Sequence, residues 1–174
     1  MSNILQRTDA VFFAHSLAAC FRSSLYGAGG RPSRIENFQK AEDFSSRTIE
    51  EYEYHANGKN KQRICTEYGE DGVSATSKLV SEYDEFGDEV KRTEISYENS
   101  SEVIDSVSTS THTREYRYGM VVKRVTEKIT YDAQNNPQTK SIYVSKYSGN
   151  NAAEGIREEY TYIDGEWVKN DSLM

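Results

Sequence analysis

From about residue 46 onward, tyrosines close runs of alternating apolar and polar residues, and turn residues follow at once. The instances are Tyr54 before His-Ala-Asn-Gly, Tyr68 before Gly-Glu-Asp-Gly, Tyr83 before Asp-Glu-Phe-Gly and Tyr97 before Glu-Asn-Ser-Ser. Tyr118 before Gly119, Tyr131 before Asp-Ala-Gln-Asn-Asn-Pro, Tyr147 before Ser-Gly-Asn-Asn and Tyr162 before Ile-Asp-Gly complete the set. Their intervals are 14, 15, 14, 21, 13, 16 and 15 residues. Such a period holds one strand of about eight to eleven residues plus one turn. Short connections make successive strands antiparallel neighbours. The expected fold is therefore mainly β: an antiparallel meander of about eight strands, as an open twisted sheet or a small barrel.

Alternation sorts each strand into two faces. Over 60–68, Ile64, Thr66 and Tyr68 alternate with Arg63, Cys65 and Glu67. Over 89–97, Lys91, Thr93, Ile95 and Tyr97 alternate with Arg92, Glu94 and Ser96. In 121–131, Val125, Ile129 and Tyr131 oppose Arg124, Thr126, Lys128 and Thr130; in 156–163, Ile156, Tyr160 and Tyr162 oppose Arg157, Glu159 and Thr161. One face is tyrosine-bearing and the other carries charges and hydroxyls. The Ser/Thr-rich stretch from Ser100 to Thr113 fits a longer strand or a loop.

The segment 1–34 reads as a separate N-terminal unit, with the β domain over 46–170. Ala10, Phe13, Ala14, Leu17, Ala18, Phe21 and Leu25 follow one face of a helix over 9–26. Gly27-Ala-Gly-Gly-Arg-Pro then reads as a flexible break. Three readings fit this segment: an amphipathic helix laid on the sheet, an export signal, or an organelle transit peptide. Leu17-Ala18-Ala19-Cys20 resembles the lipobox of bacterial lipoproteins, which would make Cys20 a lipid anchor.

Tyr-x-Tyr before an Asx-Gly turn, as in Tyr52-Glu-Tyr54-His-Ala-Asn-Gly and Tyr160-Thr-Tyr162-Ile-Asp-Gly, resembles the tyrosine–aspartate (YD, or RHS-type) repeats. It also resembles related secreted β-repeat proteins of Bacteroidetes. Tyr-Asp itself occurs at Tyr83-Asp84 and Tyr131-Asp132. The resemblance covers 48–165 and implies extended antiparallel structure in a secreted or surface protein. It carries over no catalytic residue.

Composition narrows the function classes. The net charge of −7 is uneven: residues 1–34 hold four Arg and one acid, so the remainder is strongly acidic. Such a surface repels phosphate backbones, and nucleic acid is not an expected partner. No apolar run is long enough for a transmembrane span. Apolar residues are 36% of the chain, and 13 Tyr stand against 6 Phe and 1 Trp. Tyrosine is thus both the expected core and the expected binding surface.

Chemistry-bearing motifs are sparse. His15, His55 and His112 lack metal-ligand spacing. Cys65 could meet His55 or His112 as a nucleophile–base pair, though it falls in mid-strand on the charged face. Asp84-Glu-Phe-Gly-Asp88 is acidic but lacks the alternating ligands of a calcium loop. No catalytic residue, metal or cofactor is expected. The expectation is a non-catalytic module binding protein or glycan. Its candidate binding residues are Tyr52, Tyr54, Tyr83, Tyr97, Tyr116, Tyr118, Tyr131, Tyr160 and Tyr162. A barrel-type carrier of a small ligand and a cryptic enzyme are the alternatives.

Overall fold

The computed structural model describes residues 5–12, 19–27, 29–41, 44–98, 103–148 and 151–170. They form one open sheet of twelve strands in sequence order, every neighbouring pair antiparallel. The strands are β1 Leu5–Phe12, β2 Ala19–Tyr26, β3 Pro32–Ala41, β4 Phe44–Tyr54, β5 Asn60–Tyr68 and β6 Ala75–Tyr83. They continue as β7 Glu89–Tyr97, β8 Ile104–Arg117, β9 Met120–Tyr131, β10 Pro137–Ser148, β11 Asn151–Ile163 and β12 Glu166–Lys169.

The meander is as expected, and its extent differs. The open sheet holds twelve strands where about eight were expected, and β1 and β12 stand at opposite ends of the order, so no barrel closes. The helix expected over 9–26 is replaced by strand: residues 9–12 complete β1 and Ala19–Tyr26 is β2. Phe13, Ala14, Leu17 and Ala18 lie outside the described residues. Phe21 and Leu25 satisfy helical spacing, but with Ser23 between them they equally satisfy a two-residue period. The partner decides: β3 pairs Phe21 with Phe38 and Leu25 with Arg34. β1 pairs with β2, and β2 pairs onward with β3. The expected Gly-rich break is a tight turn between β2 and β3, closed by the Gly27 N–H on the Arg31 carbonyl at 2.9 Å. The Ser/Thr-rich stretch is strand from Ile104 onward.

The closing tyrosines mark more than strand ends. Register shifts fall between Leu25 and Tyr26, Glu53 and Tyr54, Glu67 and Tyr68, and Glu82 and Tyr83. They recur between Ser96 and Tyr97, Glu115 and Tyr116, and Lys146 and Tyr147. In each the extra residue stands on the following strand opposite the tyrosine, Lys61 across from Tyr54 and Thr76 across from Tyr68, and the ladder bends there next to the turn. After Tyr83 the Asp84 N–H donates to the Asp88 carbonyl at 3.0 Å, and the Gly87 N–H returns to the Asp84 carbonyl at 3.0 Å. Asp84 Oδ1 accepts the N–H groups of Phe86 and Asp88, both at 2.9 Å. Asp132 builds the same turn from the N–H groups of Gln134 and Asn136 at 3.0 and 2.8 Å. These acids are turn builders, with Asp84 Oδ1 and both oxygens of Asp132 holding hydrogen bonds within the turn and its flank.

A second layer is missing among the described residues. Among the described side chains, Ile35 and Ile49 are the only apolar ones to fall to single-digit exposure, 9% and 6%. The register sets them on opposite faces, because Ile35 pairs with Glu50 and Ile49 with Glu36. The accessible surface is 12278 Å², against about 8,600 Å² for a compact chain of this mass. Side chains cover one another within each face instead. Arg47 lies 4.8 Å from the Tyr68 ring, and Lys140 lies 4.7 Å from Tyr160 and 4.9 Å from Trp167. Tyr162 meets Trp167 edge-on at 4.9 Å.

Gly58 turns β4 into β5 with φ at +85°, and the Arg31 guanidinium fills the space where a Cβ would stand. Gly58→Ala is expected to lower the unfolding free energy by about 1–2 kcal/mol in urea melts. Gly119→Ala, at φ +77° with nothing within 4 Å of a new Cβ, is expected to cost less, because only the backbone penalty applies.

Candidate functional site

Register fixes which side chains share a face. One face carries Ile64, Val80, Thr93, Thr109 and Ile129 as a continuous cross-strand row. The other carries Tyr52, Arg63, Ser81, Arg92, Ser110, Lys128, Ser141 and Glu159 as a row over eight strands. The alternation led to a tyrosine-bearing face opposite a face of charges and hydroxyls; the register gives an aliphatic row and a polar row instead, and the tyrosines divide between them.

The candidate tyrosines are shared between those faces. By alternation Tyr97, Tyr131, Tyr160 and Tyr162 lie with the aliphatic row. Tyr52, Tyr54, Tyr83 and Tyr116 lie with the polar row. Tyr52 and Tyr54 stack at 6.3 Å with 14° between their planes, and the Tyr54 hydroxyl donates to the Pro32 carbonyl at 2.8 Å. The Tyr83 carbonyl lies 2.9 Å from His55 Nε2. The Tyr116 hydroxyl donates to Asp88 Oδ2 at 2.8 Å, and the Tyr160 hydroxyl donates to Glu158 Oε2 at 2.9 Å. Tyr118 sits at the β8–β9 turn, 88% exposed at φ +52°.

Two polar clusters tie the polar face together. In the first, the Tyr52 hydroxyl and Arg63 Nε both donate to Glu50 Oε2, the latter at 3.2 Å. Burial pushes the Glu50 carboxyl up, and the Tyr52 and Arg63 bonds outweigh it and hold it below its usual value. Burial, then the Glu50 bond, pushes the Tyr52 phenol up to about 12. In the second, Arg92 donates to Glu89 through Nε at 3.2 Å and Nη2 at 3.1 Å. His112 stands beside it, with Nε2 3.5 Å from Glu89 Oε1 and Nδ1 3.0 Å from Thr126 Oγ1. Burial pulls the His112 imidazole down, Glu89 opposes, and Arg114, Arg124 and Arg92 add to the fall.

The hydroxyl–imidazole–carboxylate line of Thr126, His112 and Glu89 has the order of a catalytic relay. It lies in mid-sheet, where backbone N–H groups are spent on the ladder and cannot serve a developing oxyanion. It acts as a clasp across β7, β8 and β9. Cys65 pairs in register with Glu50 and Leu79, apart from both histidines, and burial pushes its thiol up. Cys20, in β2, is three strands from Cys65, about 14 Å at ordinary strand spacing, so the two cannot join as a disulfide. Among the described residues no cluster of His, Cys, Asp and Glu could hold a metal, and no helix is long and apolar enough to cross a membrane.

The most ligand-ready surface is the polar face from β8 to β12. Tyr143, Ile163 and Val168 are 49%, 50% and 47% exposed there. Tyr143 pairs with Thr126 on one side and Arg157 on the other, and its hydroxyl leans over Gly155, 3.4 Å from where a Cβ would stand. Tyr143 lies outside the candidate tyrosines, because in sequence it adjoins neither a turn nor a second tyrosine two residues away. Its neighbours in Ile142-Tyr143-Val144 alternate with it, and that was the available signal. No known family profile matches the chain, no curated protein is similar to it, and no solved structure resembles it.

The raised phenol of Tyr52 gives a pH test. A proton held more tightly in the fold contributes stability in full below the ordinary value of 10.0, and that stability is lost as pH rises through about 12. The stability gap between the native chain and Tyr52→Phe is expected to be constant from pH 7 to 9 in urea melts and to shrink above pH 10. The lowered carboxyl of Glu50 acts in the opposite direction, losing its contribution as pH falls below its ordinary 4.5.

Proposed function

We propose that this chain is a non-catalytic binding module, secreted, surface-displayed or particle-associated, that engages protein or glycan through one face of its sheet. The observation that carries the reading is the pairing of bare apolar groups with cations and hydroxyls on the polar face over β8 to β12. An exposed ring such as Tyr143, flanked by Arg157 and Thr126, offers a stacking surface with hydrogen-bonding groups beside it. Exposed patches of this mixed kind mark interaction sites on proteins that lack another reason for them. The secreted or surface setting rests on the resemblance to tyrosine–aspartate repeats.

The alternatives draw less support. A small-ligand carrier needs an interior, and the twelve strands leave the sheet open. A depression of about 200 Å³ is lined by Glu51, Tyr52, Glu53, Gln62 and Ile64 at the sheet surface. A hidden thiol enzyme needs Cys65 beside a histidine, and His55 and His112 hold other partners.

The test is saturable binding to a panel of soluble neutral and acidic polysaccharides and of folded proteins, followed by biolayer interferometry. Tyr143→Ala is expected to weaken binding about tenfold, as loss of a stacked ring does. It should leave the urea midpoint nearly unchanged, since the ring is 49% exposed. Unaltered binding by Tyr143→Ala would contradict the assignment of this face.

A further inference from the structure

Arg114 of β8 and Arg124 of β9 are direct cross-strand partners on the polar face. Like charges placed directly opposite in a sheet destabilise it. Neither is well neutralised. Arg114 reaches no closer than 3.9 Å to Asp88, although its side chain is only 9% exposed. Its Nε is buried and has no hydrogen-bond partner. A buried charged donor left unmatched is costly and calls for an explanation. Arg124 is exposed, and among the described residues it holds no hydrogen bond or ion pair. Next in the row come Ser145 and then Gly155, over which the Tyr143 hydroxyl leans.

The surroundings sharpen the contrast. Along the polar face of β8, β9 and β10 the register places serines, threonines, His112, Tyr143, Arg114, Arg124 and Lys128; carboxylates reach it from the β7 side, Glu89 lying 3.5 Å from His112 and Asp88 and Glu94 each 3.9 Å from Arg114 and Lys128 in turn. This is a cationic, hydroxyl-rich strip on a chain with a net charge of −7. Paired guanidinium groups flanked by hydroxyls are the chemistry that holds a tetrahedral oxyanion, through short charge-assisted bonds. Tyr143 lies two residue pairs along from Arg124 on the same face, within reach of the sugar ring that would carry such an anion.

We propose that the Arg114–Arg124 pair is the anion subsite of this binding face, and that its ligand is an acidic glycan bearing sulfate or phosphate ester groups. The anion relieves the repulsion between the two guanidinium groups. This inference rests on the binding-module reading and names the ligand class for the same face. Arg114 is the anchored half, fixed by burial. Arg124 is the mobile half that closes on the ligand.

The test uses the full chain and isothermal titration against dextran sulfate, phosphorylated dextran of equal charge density, neutral dextran and a single-stranded oligonucleotide. Binding to an esterified dextran is expected, weakening steeply as salt rises, with little affinity for neutral dextran or the oligonucleotide. The tighter of the two esterified dextrans identifies the ester. Arg124→Gln is expected to weaken binding about tenfold. Lys146→Gln makes the same charge change one residue from Ser145 on the opposite face, where Lys146 pairs with Glu154 at 2.8 Å. It is expected to change binding less than twofold. Equal losses in the two variants would show bulk charge attraction and overturn the subsite. Equal binding of the oligonucleotide would overturn the glycan assignment. Tight binding of neutral dextran that ignores Arg124→Gln would overturn the anion subsite while leaving the binding module intact. Arg124 is exposed, so its replacement does not threaten the fold, and a matching urea midpoint verifies this.

Discussion

Everything in this molecule depends on the hydrogen-bonded ladder between consecutive strands. Substantial contacts between elements join only sequence neighbours, from β1·β2 to β11·β12. A layered domain gains its stability from a shared interior. Here the ladder must be supported by what lies along each face. Cross-strand pairs, aliphatic stems laid over neighbours and cation–ring contacts each add tenths of a kcal/mol to about 1 kcal/mol. That explains a chain with mean hydropathy of −0.81 and 13 tyrosines. A tyrosine ring covers its neighbours without needing to be fully enclosed, and its hydroxyl stays wet or finds a carboxylate.

The bulges opposite the tyrosines show how local chemistry sets the architecture. A ladder that ends in a bulge twists more strongly, and the residues after it turn within four or five positions. Asp84 and Asp132 close their own turns with side-chain oxygens, so these hairpins need nothing distant to define them. Neighbouring turns then brace one another. Asn57 Nδ2 donates to the Glu85 carbonyl at 2.7 Å, and Arg47 Nη1 donates to the Gly72 carbonyl at 2.9 Å. The edge of turns is itself a bonded row, which stiffens a sheet with no layer behind it.

This locality decides what was legible in the sequence. From Tyr54 to Tyr162 the strand ends could be read because bulge, turn and alternation are all properties of adjacent residues. β2 was hidden because Phe21 and Leu25 fit two periods at once, and only pairing with β3 selects one. β12 was hidden because four residues after Asp164-Gly165 are too few to show a pattern. The polar face was legible as alternation, but Arg114 and Arg124 were not legible as a pair. That juxtaposition depends on the register of β8 against β9, bulge included, and a slip of one residue would send one of them to the other face. Tyr143 escaped for the related reason that its importance lies in its cross-strand neighbours.

The central claim is a single-layer sheet wet on both faces, and small-angle X-ray scattering tests it most directly. Twelve strands at ordinary spacing are about 53 Å wide and a strand of 12 residues is about 40 Å long, so the distance distribution should extend past about 60 Å with a skewed tail. A compact chain of this length would give a symmetric distribution ending near 40 Å, from a radius of gyration of about 16 Å. The account predicts the first result, and the second would contradict it.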